Sequence, residues 1–130
     1  MTAYADYEYY EKIFKGTDIP ESSFDKRALE ASSKINYYTF NRIKNDVITD
    51  EIRNATCFIA ELLYNQEQLK VKLNNEKILS SETVGPHTKN YVNSNSQIQN
   101  QILNEKDLNK KIYNICLENL SNTGLMYKGF

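Results

Sequence analysis

The sequence predicts a mainly α-helical subunit resembling a four-helix bundle, with one long arm between its third and fourth helices. Apolar residues recur at spacings of three and four along four segments, which is the pattern of helices that bury one face. The length of 130 residues is that of a single domain. With 40% hydrophobic and 25% charged residues the composition is ordinarily globular, so we expect one modest core.

Helix 1 is predicted over residues 6–15 and helix 2 over residues 23–40. Asp6 can cap the first, and Gly16 suits the position after its last turn. Its apolar stripe is Tyr7, Tyr10 and Phe14. Ser22–Asp25 matches a capping box with Asp in place of the usual Glu, so helix 2 is expected to begin there. The stripe of helix 2 is the clearest periodicity in the chain: Phe24, Ala28, Ala31, Ile35 and Tyr38.

Helix 3 is predicted over residues 50–73, with Thr49 or Asp50 as its cap. Its main stripe follows the same alternation and includes one polar residue: Ile52, Ala55, Ile59, Leu62, Gln66, Leu69 and Leu73. A weaker stripe lies on the opposite side: Cys57, Ala60, Tyr64 and Val71. This two-sided pattern fits a central helix of one bundle, and it also fits a helix that meets a neighbouring subunit.

The stretch 74–100 changes character, because it is rich in Ser, Asn and Thr and contains Gly85-Pro86. Short β-prone runs on both sides of that dipeptide predict a β-hairpin or extended arm. Helix 4 is predicted over residues 105–122, ended by Gly124, and an apolar tail over residues 123–130 follows it. The stripe of helix 4 is Leu108, Ile112, Ile115, Cys116 and Leu120.

The residue types do not indicate catalysis. His87, the single histidine, lies in the predicted hairpin without a neighbouring Asp or Cys to form a catalytic group. The four glycines are too dispersed to cradle a phosphate. Cys57 and Cys116 have the spacing neither of a disulfide framework nor of a zinc site. We therefore expect no enzymatic activity, no cofactor and no metal.

Charge and hydropathy exclude further classes of protein. Sixteen Lys and Arg residues against seventeen Asp and Glu residues give a net charge of −1, which provides no general attraction for nucleic acid or an anionic membrane. No apolar run approaches the roughly 20 residues that cross a bilayer. We expect a protein made and kept in a cytoplasm. Ten Tyr residues favour assembly, since tyrosine suits contacts that stay wet on one side.

Several segments, in their order and spacing, resemble the head–tail connector family of tailed bacteriophages, the small adaptor proteins that dock beneath the portal. The resemblance covers most of the chain, and its segments are packing and turn signatures. They are the Tyr-rich first helix up to Gly16, Ile19–Glu21, Ala28–Ser32, Thr39–Ile43 and, most specific, Asn122–Phe130.

This resemblance implies a structural virion protein of the neck, between capsid and tail, whose subunits close into a ring that is typically dodecameric. The implied partners are the portal, the next neck protein (a stopper or tail terminator) and further copies of the chain. DNA would pass through the lumen without sequence-specific binding, and no membrane is involved. A ring requires a heterologous interface, in which one patch meets a different patch on the next subunit.

Three groups of residues follow as candidate sites. The tail would dock on the portal or a neighbouring subunit, or else fold back on its own bundle, through Leu125, Met126, Tyr127 and Phe130. The arm would reach the lumen or the next neck protein, or else form a surface loop, with Val84, Gly85, His87, Tyr91 and Val92. Helix 3 would face the adjacent subunit through Cys57, Tyr64 and Val71.

Two alternatives belong to other classes. Helices 2 and 3 could form the helix-turn-helix of a small DNA-binding or regulatory protein. However, the linker 40–49 is longer than the usual turn, and no helix start carries a cluster of Arg, Lys, Asn and Gln. The other alternative is a small enzyme whose site forms only between subunits, which a metal or cofactor in the purified protein would support.

Overall fold

The computed structural model describes residues 3–44, 47–82 and 98–126, with residues 76–82 described by their backbone alone. Within these ranges the main elements are α1 (Tyr7–Lys12), α2 (Glu21–Tyr38), α3 (Asp50–Glu82), α4 (Glu105–Leu120) and a 3₁₀ turn (Ser121–Thr123). Residues 98–101 form one further helical turn. The described ranges hold no strand, so the predicted all-α class is confirmed.

Side chains cap three of the helices at their N-termini. Asp6 accepts a hydrogen bond from the N–H of Tyr9 at 2.8 Å, as predicted, and Asn104 caps α4 by accepting from Asp107 at 2.8 Å. The hydroxyl of Thr49 accepts a longer bond, 3.4 Å, from the N–H of Ile52 at the start of α3.

The capping box predicted for helix 2 at Ser22–Asp25 is wrong. α2 begins earlier, at Glu21, and Pro20 occupies the cap position with no side-chain hydrogen bond. Pro20 has no N–H to satisfy, and its φ of −70° leads directly into the helix. The ring of proline therefore starts this helix instead of a serine hydroxyl.

α2 and α3 form the central pair, and α4 packs mainly on α3. The stripe predicted for α2 is confirmed, since four of its five residues are completely buried and Tyr38 is partly buried. Lys34 contacts Asn109 and Tyr38 contacts Tyr113, so α2 and α4 run in the same direction. α3 and α4 complete the core with Ile52, Ala55, Cys57, Ile59, Ala60, Ile112, Cys116 and Leu120.

The β-hairpin arm predicted over residues 74–100 is not supported at either end. α3 continues to Glu82, and residues 98–101 are helical as well. Although this stretch is rich in Ser and Asn, it also contains Glu, Lys and Leu, which continue a helix readily once it has formed. The centre of the predicted arm, residues 83–97, lies outside the described residues.

Gln66 lies on α3 at the point where the later part of the chain, residues 101–103, returns to contact this helix. Its side chain is only 9% exposed, although it is polar. Its amide N–H donates to the carbonyl oxygen of Gln101 at 3.2 Å, and its side-chain oxygen accepts from the N–H of Leu103 at 2.8 Å. Both ends of the amide are therefore satisfied, which is the condition for burying it within an apolar stripe.

The ring of Tyr10 is completely buried, and it explains Gly16, which was predicted to end helix 1. α1 ends at Lys12, earlier than predicted, and among the described glycines only Gly124 has a positive φ. Gly16 is needed for space instead, because a Cβ at this position would lie 2.1 Å from Cε1 of Tyr10. Gly124, predicted to end helix 4, has a φ of 80° and ends the 3₁₀ turn that follows α4.

The hydroxyl of Tyr10 joins α1, the following loop and α3. It donates to a carboxylate oxygen of Glu61 at 2.8 Å. It accepts from the N–H groups of Asp18 and Ile19, both at 3.0 Å. The donor and both acceptor positions of the phenol are thus in use. Burial raises the pKa of Tyr10 to about 12, so the hydroxyl keeps its proton.

The substitution Gly16→Ala is expected to lower the free energy of unfolding by about 3 kcal/mol, the upper end of the usual cost of overpacking, because the clashing atoms belong to a buried ring. Urea titration measures this loss. Gly124→Ala is the matched control: its Cβ would meet nothing within 4 Å, so only the strain of its positive φ acts, about 1 kcal/mol. Equal losses in the two variants would contradict the steric explanation.

The stability of the protein should also depend on the protonation of Glu61. Burial raises the pKa of Glu61, although the hydrogen bond from Tyr10 opposes this shift. A carboxyl whose pKa is raised on folding stabilises the protein below its unfolded pKa of about 4.3, and this stabilisation is lost as pH rises through the folded pKa. Glu61→Gln keeps an oxygen that can accept from Tyr10 and removes the titration.

We therefore expect the wild type to lose stability relative to Glu61→Gln as the pH is raised from about 4 to 7. Urea titrations of both proteins at several pH values measure the difference. A difference that stays constant with pH would show that burial does not dominate the environment of this carboxyl.

Candidate protein-docking surface

The chain leaves α2 through a strained turn. Thr39 is the C-cap of the helix. The N–H of Asn41 donates to the carbonyl oxygen of Asn36 at 2.9 Å, and the N–H of Phe40 donates to that of Tyr37 at 3.4 Å. This is the Schellman pattern, in which the residue after the cap is left-handed and usually Gly. Here that residue is Phe40.

Phe40 adopts a φ of 58°, and Asn41 follows with the same value. Asn tolerates this conformation, whereas a bulkier residue in it costs about 1–2 kcal/mol. The ring recovers little of that cost by packing, because Phe40 is 55% exposed. Backbone strain of this kind clusters at functional sites. The position of Phe40 therefore indicates a role in recognition.

Phe40 belongs to a group of rings, here called the aromatic surface, that surrounds a shallow depression of about 480 Å³ between α2 and α4: Tyr37, Tyr38, Phe40 and Tyr113. The rings of Tyr37 and Tyr38 meet edge to face with centroids 5.1 Å apart, and those of Tyr38 and Tyr113 lie 5.4 Å apart. Tyr37 is 74% exposed. Large, rigid aromatic side chains of this kind dominate the energetics of protein interfaces.

Tyr38 fixes the aromatic surface to the bundle. Its hydroxyl donates to the backbone carbonyl of Asn109 on α4 at 3.3 Å. Burial raises the pKa of Tyr38, so this donor keeps its proton at neutral pH. The exposed ring of Tyr37 thus rests on a ring that is itself held in place.

Two cations border the aromatic surface. The guanidinium of Arg42 lies 5.1 Å from the centre of the Phe40 ring, a cation–π distance. The ammonium of Lys34 reaches the side-chain oxygen of Asn109 at 3.4 Å. Aromatic area beside positive charge suits a protein partner that offers carboxylates.

A smaller hollow, here called the loop cavity, lies between the α2–α3 loop and the segment after α4. Its volume is about 200 Å³. Residues from the loop, from the start of α3 and from the C-terminal segment line it: Arg42, Ile43, Lys44, Val47, Thr49, Ile52, Thr123 and Leu125.

A second exposed apolar group lies at the end of α1 and on α3, two elements that contribute nothing to the aromatic surface. Ile13 is 65% exposed and Phe58 is 46% exposed. The ring of Phe58 meets that of Phe14 edge to face at 4.8 Å. The chain therefore presents two separate apolar surfaces on different elements.

Cys57, one of the three residues predicted to face the adjacent subunit, lies in the core of this chain. It is completely buried, so it offers no surface to a neighbour. The reason is that α1 covers this side of α3, which the weak second stripe did not reveal. Tyr64 is partly buried against the core, whereas Val71 is 43% exposed. Of the three residues, Val71 alone keeps a largely open side chain.

The tail residues divide in two groups. Met126 is 8% exposed and belongs to the core of its own chain, so it is not free to dock elsewhere in this conformation. Leu125 is partly buried and lines the loop cavity. Tyr127 and Phe130 lie outside the described residues, as do the candidate residues of the arm: Val84, Gly85, His87, Tyr91 and Val92.

Cys57 and Cys116 are free thiols, and both are buried. Burial raises the pKa of the Cys57 and Cys116 thiols to about 12, which keeps both in the unreactive protonated form. Across the described ranges, no group of three or more His, Cys, Asp or Glu side chains could hold a metal ion. No helix in the same part of the chain is long and apolar enough to cross a membrane.

The chain matches no protein-family model, no curated protein and no solved structure.

The strain at Phe40 can be measured through stability. Phe40→Gly is expected to raise the free energy of unfolding by about 1 kcal/mol, because glycine adopts a positive φ without strain. Asn41→Gly is the control, with a smaller gain, since Asn already tolerates this conformation. Urea titration of both variants tests the ranking. A loss of stability in Phe40→Gly would mean that the exposed ring contributes more packing than the turn costs.

Proposed function

We propose that this chain is a structural adaptor subunit that docks on the portal protein of a tailed bacteriophage through its aromatic surface. The observation that carries the proposal is the exposed ring of Phe40, held beside Tyr37 by a backbone conformation that destabilises the subunit. An aromatic side chain that contributes little to the core, on a backbone conformation that lowers stability, is best explained by a partner protein that covers this side chain.

The portal enters the proposal through the sequence resemblance to head–tail connectors. The aromatic surface supplies the physical means, because Tyr, Phe and Arg are typical residues at the centre of protein interfaces. The portal side of the contact would offer apolar area with carboxylates placed opposite Arg42 and Lys34.

In its finer form, the proposal places the chain in the neck of the virion as one subunit of a homo-oligomeric ring. The next neck protein would bind the opposite face of this ring, and DNA would pass through the lumen without base-specific contacts. The second apolar group, at Ile13 and Phe58, provides a surface distinct from the aromatic one, as a heterologous ring contact requires.

The proposal is tested by mixing the purified chain with the portal protein encoded in the same genome and measuring co-elution by size-exclusion chromatography with light scattering. We expect a stoichiometric complex for the wild type. Tyr37→Ala is expected to weaken it at least tenfold, about 1.4 kcal/mol of binding free energy, because the most exposed ring of the aromatic surface is removed.

Leu29→Ala is the matched control, since Leu29 is an exposed apolar residue of α2 that belongs to neither apolar surface. This variant should bind the portal as the wild type does. Failure of the wild type to bind the portal would overturn the proposed function. Equal weakening by both substitutions would remove the aromatic surface from it.

A further inference from the structure

The depression in the aromatic surface has an unusual lining. Within the described part of the chain, every residue that lines it is aromatic: Tyr37, Tyr38, Phe40 and Tyr113. Proteins use aromatic linings for three classes of ligand, which are methylated ammonium groups, the bases of single-stranded nucleic acid and extended segments rich in proline. The charges at the border and the packing of the rings distinguish these classes.

Cations at the border of the aromatic surface disfavour an ammonium ligand. The ammonium of Lys34 and the guanidinium of Arg42 lie there, at the contacts they make with Asn109 and Phe40. On α4 the exposed Lys110 precedes Tyr113 by three residues, so both lie on one face of that helix. A ligand with negative charge is therefore favoured.

Two negative charges on α2 oppose this attraction, but both are small. Glu30 precedes Tyr37 by seven residues, two turns of the helix, and its carboxylate already pairs with Arg27 at 3.1 Å. The C-terminal end of α2, beside Phe40, carries only the partial negative charge of the helix dipole. The border therefore stays positive on balance.

The mutual packing of the rings favours proline over a nucleobase. A base stacks on the open face of a ring. Here Tyr37 meets Tyr38 at an interplanar angle of 82°, and Tyr38 meets Tyr113 at 65°. The rings thus form ridges with notches between them, instead of one flat platform. The compact ring of proline fits such notches in the aromatic-lined grooves that bind polyproline II segments.

The spacing of the rings also matches polyproline II. The centroids of Tyr37, Tyr38 and Tyr113 are separated by 5.1 and 5.4 Å along the row. One turn of polyproline II has three residues and a length of about 9 Å, so prolines three positions apart meet successive notches. The carbonyl oxygens of this helix have no internal partners. The hydroxyl of the exposed Tyr37 can donate to one of them.

We propose that the aromatic surface binds an extended, acidic segment of the partner protein that carries two prolines three positions apart. The inference rests on the proposed function, because it keeps the same docking surface and names the chemistry of the segment that docks there. The prolines pack between the rings, and a carboxylate after the second proline lies opposite the cations. Polyproline II is preformed, so its docking costs little conformational entropy, which suits a shallow site.

The probe is a synthetic peptide with blocked ends and the sequence APAAPEE, titrated into the full-length chain while NMR follows the signals of Tyr37, Phe40 and Tyr113. The matched control peptide is its isomer APAPAEE, in which the prolines are two positions apart. We expect the first peptide to bind about tenfold more tightly than the isomer, because only its prolines fit both notches. Equal affinities, or no shifts at millimolar peptide, would overturn the inference.

A third peptide, APAAPQQ, tests the charge. It should bind more weakly than APAAPEE, and added salt should reduce this difference, because salt screens the attraction of the carboxylates to the cations. Equal affinity of APAAPQQ and APAAPEE at low salt would contradict the acidic character of the segment.

Protein variants locate the binding site. Tyr37→Ala is expected to bind APAAPEE about tenfold less tightly than the wild type, because one wall of a notch is removed. Leu29→Ala is the control, since Leu29 is exposed on α2 outside the aromatic surface. Tighter binding of an oligodeoxythymidine than of APAAPEE would overturn the inference in favour of nucleic acid. Self-association that Tyr37→Ala abolishes would overturn it in favour of a second copy.

Competition with the portal separates this inference from the proposed function. APAAPEE should displace the portal from the wild type, because both occupy the aromatic surface. Portal binding without peptide binding, or a portal complex that the bound peptide leaves intact, would overturn the inference alone. Peptide binding by a chain that does not bind the portal would overturn the proposed function alone.

Discussion

The hydroxyl of Tyr10 joins three parts of the chain by hydrogen bonds: α1, the loop that leads into α2, and α3. α1 has only six residues and is far too short to be stable by itself in water. It persists because the Tyr10 ring packs against Phe24 of α2, with centroids 4.9 Å apart, while its hydroxyl bonds to Glu61 of α3. The same hydroxyl accepts hydrogen bonds from the N–H groups of Asp18 and Ile19, so the loop that leads into α2 is held as well.

This arrangement also explains why Cys57 is inaccessible. Placing α1 over α3 covers a side of the central helix that would otherwise face solvent. A subunit arranged this way has little remaining apolar area on that side, apart from Ile13 and Phe58 at its edge.

In the turn after α2, the conformational preference of a residue disagrees with the backbone conformation that the structure gives it. At Tyr10 and Gly16 the residue types satisfy the fold, whereas at Phe40 the residue type conflicts with its backbone conformation. Natural sequences are consistent at most positions, and their exceptions concentrate where function imposes a different requirement. Lys15, beside the apolar group at Ile13 and Phe58, has a positive φ of 62° as well, so the aromatic surface differs in that the strained residue is itself one of its exposed rings.

The sequence predicted the elements that depend on local pattern. The stripe of α2, the cap at Asp6 and the end at Gly124 all follow from residue spacing and type. The stripe of helix 3 placed Gln66 on the core face, but it did not reveal the partners Gln101 and Leu103, because they are more than thirty residues away. The aromatic surface was missed for the same reason, since Tyr113 joins it from another helix. Asn41, a residue that tolerates a positive φ, was the local signal that could have located the turn.

The length of α3 gives the molecule a defined spacing. Gln66 fastens the returning chain at about the midpoint of this 33-residue helix, so the sixteen residues from Glu67 to Glu82 extend about 24 Å beyond the fastening point. An unbroken helix resists bending, unlike a flexible hairpin, and therefore transmits a push or a twist from one end to the other. The backbone of Glu82 is therefore held at a set distance and rotation from Gln66 by one continuous helix.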